Sequence, residues 1–181
     1  MANGEKAAHT RVIGCEYEAL VINPSSGRTV PYEGKSGIRA LLTFMVEHFG
    51  WNPIYEKDAL IALQKDNKSI TLEPGGQFEL SGAPVQTLDE VRTELQQHVH
   101  ETETLEAHFG VCFQWRGLNP FQTVEEVNWM PKERYKIMRS YLPTRGKLST
   151  TMMGLTCTVQ TNLDYTDETH YSHILRTATG I

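Results

Sequence analysis

The chain has 181 residues, enough for one domain with its own hydrophobic core. Hydrophobic residues make up 39% and charged residues 22%, a balance that excludes a disordered or fibrous chain. The formal net charge of −5 offers no global field for nucleic acid, and no apolar run is long enough to cross a bilayer.

Residues 1–10 are polar and lack the apolar stretch of a secretory signal, which predicts a cytoplasmic protein. Residues 11–22 carry β-branched side chains and run into the turn-forming segment 23–27, so they read as a strand. Residues 36–49 read as an amphipathic helix. Ile38, Leu41, Leu42, Met45, Val46 and Phe49 share one face, and Gly50 can close the helix in a left-handed conformation. Segments 59–63 and 69–72 read as two short strands joined by the polar loop 65–68. A Glu-Pro-Gly-Gly turn at 73–76 leads into a further strand at 77–80.

Residues 87–109 read as the longest helix. Thr87 and Glu90 form a capping box, and Leu88, Val91, Leu95, Val99 and Leu105 form the apolar stripe. A strand is expected at 111–115, a loop to Pro131, a short helix at 133–142 and a strand at 156–165. Strands and helices mix without regular alternation, which predicts an α+β fold built on a mainly antiparallel sheet. Cys15, Cys112 and Cys157 form no CxxC pair and are odd in number, which favours a reducing compartment over a disulfide framework.

Three segments could carry chemistry. Glu16 and Glu18 are two residues apart on the first strand, so both carboxylates face one side. Such a pair suits a hard cation such as magnesium, or equally a solvated strand edge. Glu73 and Glu79 bracket Pro74, Gly75 and Gly76. The glycines allow close approach of backbone to a ligand, or simply a tight hairpin. In an extended segment Gln77, Glu79 and Ser81 share a face, with Phe78 and Leu80 turned to the core. On the strand at 156–165, Thr156, Thr158, Gln160 and Asn162 share a polar face, and Cys157, Val159 and Leu163 share the other. The polar face fits either a site lining or solvent. The helix at 133–142 carries Arg134, Lys136 and Arg139, cations that could hold an anion or merely solvate a face. His98, His100 and His108 lack metal-ligand spacing, and Cys157 reads as a buried structural thiol.

Together these segments resemble the glutamate–cysteine ligase family of the plant and proteobacterial type. The matching stretches are GCEYE (14–18), YEG (32–34), GIRALL (37–42), LEPGGQFELSGAP (72–84), MPKERYKIMR (130–139) and TCTVQTNLD (156–164), in the family's order. The resemblance runs from about Arg11 to about Asp167. The family often has Thr and His where Cys15 and Tyr17 stand. It implies a curved antiparallel sheet related to the glutamine synthetase catalytic domain, flanked by helices. It also implies ATP-dependent joining of glutamate, through its γ-carboxylate, to cysteine, the first step of glutathione biosynthesis. Carried onto this chain, Glu16, Glu18, Glu73 and Glu79 become magnesium ligands, and Gly75, Gly76 and Asn162 nucleotide-binding residues. Arg139 and Gln160 become catalytic. A related γ-glutamyl ligase with another amine acceptor, and a non-catalytic ligand-binding fragment, remain as alternatives. Members of the family are longer. The expectation is therefore a polar extension at 1–10 and a partial catalytic domain at 11–181, with exposed sheet edges that invite self-association.

Overall fold

A computed structural model of the protein describes residues 2–180. It comprises β1 (Ile13–Ile22), α1 (Ile38–Phe49), β2 (Asn52–Glu56), β3 (Ala59–Lys65), β4 (Lys68–Leu72), β5 (Gln77–Ser81), α2 (Leu88–Phe109), β6 (Cys112–Gln114), α3 (Glu133–Tyr141), α4 (Ser149–Leu155), β7 (Val159–Leu163) and α5 (Glu168–Thr179), with short 3-10 turns between them. The strands form one open sheet in the order β2-β3-β4-β5-β1-β6, and every pairing is antiparallel. β7 joins the N-terminal half of β1 on the side where β6 joins its C-terminal half. This is the α+β architecture with a mainly antiparallel sheet that the sequence predicted.

The core lies on one face of that sheet. Alternation along the strands sends Tyr17, Ala19 and Val21 of β1, Ile70 and Leu72 of β4, and Phe78 and Leu80 of β5 to the same side. There they pack with Ile38, Leu41, Leu42 and Met45 of α1 and Leu105 of α2. Both helices end in glycines with positive φ, Gly50 at 70° and Gly110 at 66°, a conformation that costs a residue with a Cβ. α2 starts at the expected capping box: Thr87 accepts from the Glu90 N–H at 3.3 Å, and the Thr87 N–H donates to Glu90 Oε2 at 2.9 Å. Thr87→Ala should therefore cost about 1 kcal/mol, read as a lower urea midpoint with an unchanged slope.

Several expectations need correction. Leu88 belongs to no apolar stripe: it is 71% exposed, and the buried positions of α2 are His98, Glu101, Thr102 and Leu105. The loop between β3 and β4 is shorter than expected because the strands extend to Lys65 and from Lys68, leaving Asp66 and Asn67 with Asp66 at φ 53°. β2, α4 and α5 went unpredicted. The last strand is shorter than 156–165, and its apolar face is not buried. Cys157 is buried, but Val159 and Leu163 are 69% and 48% exposed.

Candidate active site

The other face of the sheet carries the acids. On β1, Glu16 and Glu18 point away from the helix-packed core, and strand register sets their neighbours. Glu18 lies opposite Glu79 of β5, and Glu79 lies opposite Thr71 of β4. Glu16 sits between Ser81 of β5 and Gln160 of β7. Residues opposite one another have Cβ atoms only about 5 Å apart, so Glu18 and Glu79 are close like charges. Glu73, in the turn after β4, stands at the same end of this face. Its N–H donates to the Gln77 carbonyl at 3.0 Å.

Glu16, Glu18 and Glu79 are oriented by neutral donors, and Glu73 by a cation. Glu18 accepts from the Thr158 N–H at 2.9 Å, the Thr158 hydroxyl at 3.1 Å and the Gln160 amide at 3.4 Å. Glu16 accepts from the Asn162 amide at 2.8 Å. Glu79 is buried, and the hydroxyls of Ser81 and Thr71 both donate to its Oε1, at 2.5 and 3.1 Å. Glu73 faces Arg134 at 3.5 Å in a partly exposed ion pair.

Burial lifts the Glu18 carboxyl above the ordinary carboxylate range. The hydrogen bonds from Thr158 and Gln160 oppose this rise, and the charge of Glu79 adds to it. Burial does the same to Glu73, reinforced by Glu79 and Glu18 and opposed by Arg134 and Lys132. Protonation thus relieves a crowd of negative charge, and a bound cation would relieve it equally well.

A cleft of about 490 Å³ opens beside these groups, lined by Glu18, Glu73, Gln77 and Gln160 together with Met138 and Met152. Two elements form its wall. Gln77 is buried, and its amide donates to the carbonyls of Met153 at 3.0 Å and Thr156 at 2.8 Å, tying β5 to α4. At the base of α3, Lys132 is buried and donates to the Leu72 carbonyl at 2.7 Å. Tyr135 donates to the same carbonyl. Burial, with some help from Arg134, pushes the Lys132 amine down to about 8, while Glu73 and Glu79 pull it up. Lys132, Tyr135 and Gln77 were not singled out as site residues. Nothing in their spacing distinguishes them from solvated positions, because their burial depends on which loops meet.

The sequence-predicted residues separate in space. Glu18, Glu73 and Gln160 line the cleft. Glu79 faces Glu18 across the strands, and Glu16 and Asn162 sit further along β1 and β7. Arg139 does not line this cleft: its guanidinium lies 4.6 Å above the Trp129 ring. Gly75 and Gly76 are not open to a nucleotide. The Gly75 N–H donates to Gln77 Oε1 at 2.9 Å and the Gly76 N–H to the Glu73 carbonyl at 2.9 Å. A Cβ on Gly75 would fall on the carbonyl oxygen of Gly154 in α4. The tight approach that the glycines permit is made by protein.

The donor chemistry fits a magnesium ion bound together with phosphates. No group of three metal-binding side chains among the described residues is close enough to cage a cation alone. Magnesium rarely needs such a cage: it keeps waters and takes one or two carboxylates plus phosphate oxygens.

The sheet thus displays clustered acids and amides on one face and packs its helices on the other. The model of glutamate–cysteine ligase family 2 matches residues 12–179, and the chain belongs to that family. It is 39% identical over 168 residues to the chloroplastic glutamate–cysteine ligase of Brassica juncea, covering 93% of this chain and 32% of that protein. The chloroplastic enzyme of Arabidopsis thaliana gives the same identity and coverage. Glutamate–cysteine ligase A of Oryza sativa subsp. japonica, also chloroplastic, is 36% identical over 181 residues, all of this chain and 36% of its own length. The chain thus spans about a third of the length of the curated relatives it matches. These relatives overturn the cytoplasmic expectation, since each is named chloroplastic.

Proposed function

We propose that this chain supplies the acidic part of a site that joins glutamate to cysteine with ATP, residues 11–181 forming part of the catalytic domain. The observation that carries this reading is the set of facing carboxylates, Glu18 against Glu79 with Glu73 beside them, at the mouth of a cleft in a member of this family. In the reaction a γ-carboxylate oxygen of glutamate attacks the terminal phosphorus of ATP and ADP leaves. The cysteine amine then attacks the acyl carbon and phosphate leaves, giving γ-glutamylcysteine. Chemistry of this kind needs alignment and charge neutralisation more than covalent help.

Glu18, Glu73 and Glu79 would hold magnesium, which supplies neutralisation of the phosphate charge. Glu16 joins this set through the Asn162 amide, which fixes its orientation. Gln160, bonded to both Glu18 and Thr158, holds the Glu18 carboxylate towards the cleft. Arg134 and Arg139, on the helix behind, are the anion-binding candidates, and Asn162 is the candidate for nucleotide contact. The relatives' names support a plastid setting.

The test is magnesium-dependent ADP release by the purified chain with glutamate and ATP, with and without cysteine, beside calorimetric titration of magnesium–ATP. Cysteine-stimulated release is expected, falling about 100-fold or more in Glu18→Gln and Glu79→Gln, with weaker magnesium–ATP binding in both. Release and binding unchanged by either substitution would sink the assignment.

A further inference from the structure

We propose that Tyr135 is a positioning residue for Glu73: its hydroxyl sets where that carboxylate stands in the acid cluster, and so how firmly the cluster takes magnesium–ATP. The inference deepens the function proposed above and rests on it. Tyr135 lies in α3, is 2% exposed, and its ring belongs to the core. A phenylalanine would fill the same space, so packing alone does not account for the hydroxyl. That oxygen stands among four groups. It donates to the Leu72 carbonyl. It accepts from the Arg134 guanidinium at 2.9 Å and from the Lys132 ammonium at 3.4 Å. Glu73 Oε1 lies 3.5 Å from it, and the same distance from Arg134. A hydroxyl has a single hydrogen to give. This one is given to Leu72, so Tyr135 acts on Glu73 by placement.

The placement runs through one peptide group. Leu72 directly precedes Glu73, and the peptide between them is planar. Its carbonyl end is held by Tyr135 and by Lys132, the latter at 2.7 Å. Its other end is the Glu73 N–H, which donates to the Gln77 carbonyl at 3.0 Å. With both ends held the plane is pinned, which narrows the directions open to the Glu73 side chain. One residue further on, the Pro74 carbonyl accepts from the Met130 N–H at 2.9 Å, so residues 130–135 grip the turn a second time. At the tip of the side chain Arg134 faces the carboxylate, and Arg134 is itself seated on the Tyr135 hydroxyl. Tyr135 therefore acts on Glu73 at its root and at its tip. A hydroxyl with only a structural part to play would be needed for the Leu72 carbonyl, and Lys132 already satisfies that group. Partners that orient a metal-binding carboxylate govern affinity by about 10–100-fold.

The experiment is calorimetric titration of magnesium–ATP into the whole chain, Tyr135→Phe, Glu73→Gln and the double variant. Tyr135→Phe keeps the ring. It also leaves its neighbours partnered, since Lys132 still donates to Leu72 and Arg134 still faces Glu73. The variant should therefore fold, with an unchanged far-ultraviolet spectrum. The expected result is binding about 10-fold weaker in Tyr135→Phe. Added to Glu73→Gln, the same substitution should cost less than about a further twofold. Equal losses in both backgrounds would reveal a general structural effect and overturn the proposal. So would a Tyr135→Phe protein that binds like the unsubstituted chain while Glu18→Gln binds weakly, an outcome that leaves the acidic site standing. Binding indifferent to Glu18→Gln and Glu79→Gln, or absent from the unsubstituted chain, would remove the site and this proposal with it.

Discussion

Gly75→Ala should lower the unfolding free energy by about 3 kcal/mol, the upper end for overpacking, although it adds a single methyl group. The new Cβ would fall on the main-chain carbonyl of Gly154. A side chain could rotate out of the way, but this obstacle is backbone, so α4 or the turn must shift as a whole. The same substitution strains the Gln77 bridge, because Gly75 N–H, Gln77 and the carbonyls of Met153 and Thr156 form one connected set. Urea denaturation measures the loss. The damage should be felt at the cleft as well, because Met152 and Met153 on α4 line it. A Gly75→Ala protein with an unchanged midpoint would mean that α4 is free to move away from the turn.

The second large effect is an acid instability centred on His98. This side chain on α2 is 2% exposed, and neither ring nitrogen has a hydrogen-bond partner. It packs edge-on against Trp115 at 5.7 Å. Burial, and secondarily the charge of Lys68, holds its pKa down to about 4, against 6.5 when unfolded. The folded protein therefore binds fewer protons than the unfolded chain between those values. Stability from this group is fully present above pH 6.5 and is lost as the pH falls towards 4, about 3 kcal/mol over the interval. His98→Leu removes the titration and also the two unpartnered nitrogens, so at pH 7 it should be neutral or stabilising. The signature is the difference between the two proteins. It should widen by about 3 kcal/mol between pH 7 and pH 4, whatever the carboxylates do in common. Parallel stability curves across that range would show that the ring is solvated or paired.

The legible parts of the fold were those with a local cause. α1 and α2 announced themselves through apolar spacing and through caps, namely Gly50, Gly110 and the Thr87–Glu90 box, because each depends on residues within a turn or two. β2 was hidden because it is an edge strand held by backbone pairing, with Asn52 to Tyr55 exposed and Pro53 within it, so no burial pattern exists to read. α4 was hidden because Ser149-Thr150-Thr151 and Gly154 are poor helix formers, and tertiary contact at Gly75 and Gln77 holds it instead.

The site divides in the same way. Alternation shows that Glu16 and Glu18 share a face, and likewise Gln77, Glu79 and Ser81. It cannot show that Glu18 stands opposite Glu79, since register is a tertiary fact. Nor does spacing reveal that Lys132 is buried beneath Leu72, or that the glycine turn is filled by α4.

β1 has one consequence in time. It takes partners on both sides, yet the residues that complete its acidic end come very late: Glu16 and its Asn162 donor are 146 residues apart in the chain. At ribosomal speeds of about 5–20 residues per second, that gap lasts roughly 7–30 s. For this interval Glu16 and Glu18 are made but not held, and β1 has no β7 to pair with. The acidic face is thus assembled by one of the longest-range closures in the chain. A cation that needs these side chains in register can bind only after that closure, so its binding energy adds to the finished fold and does nothing to guide the nascent one.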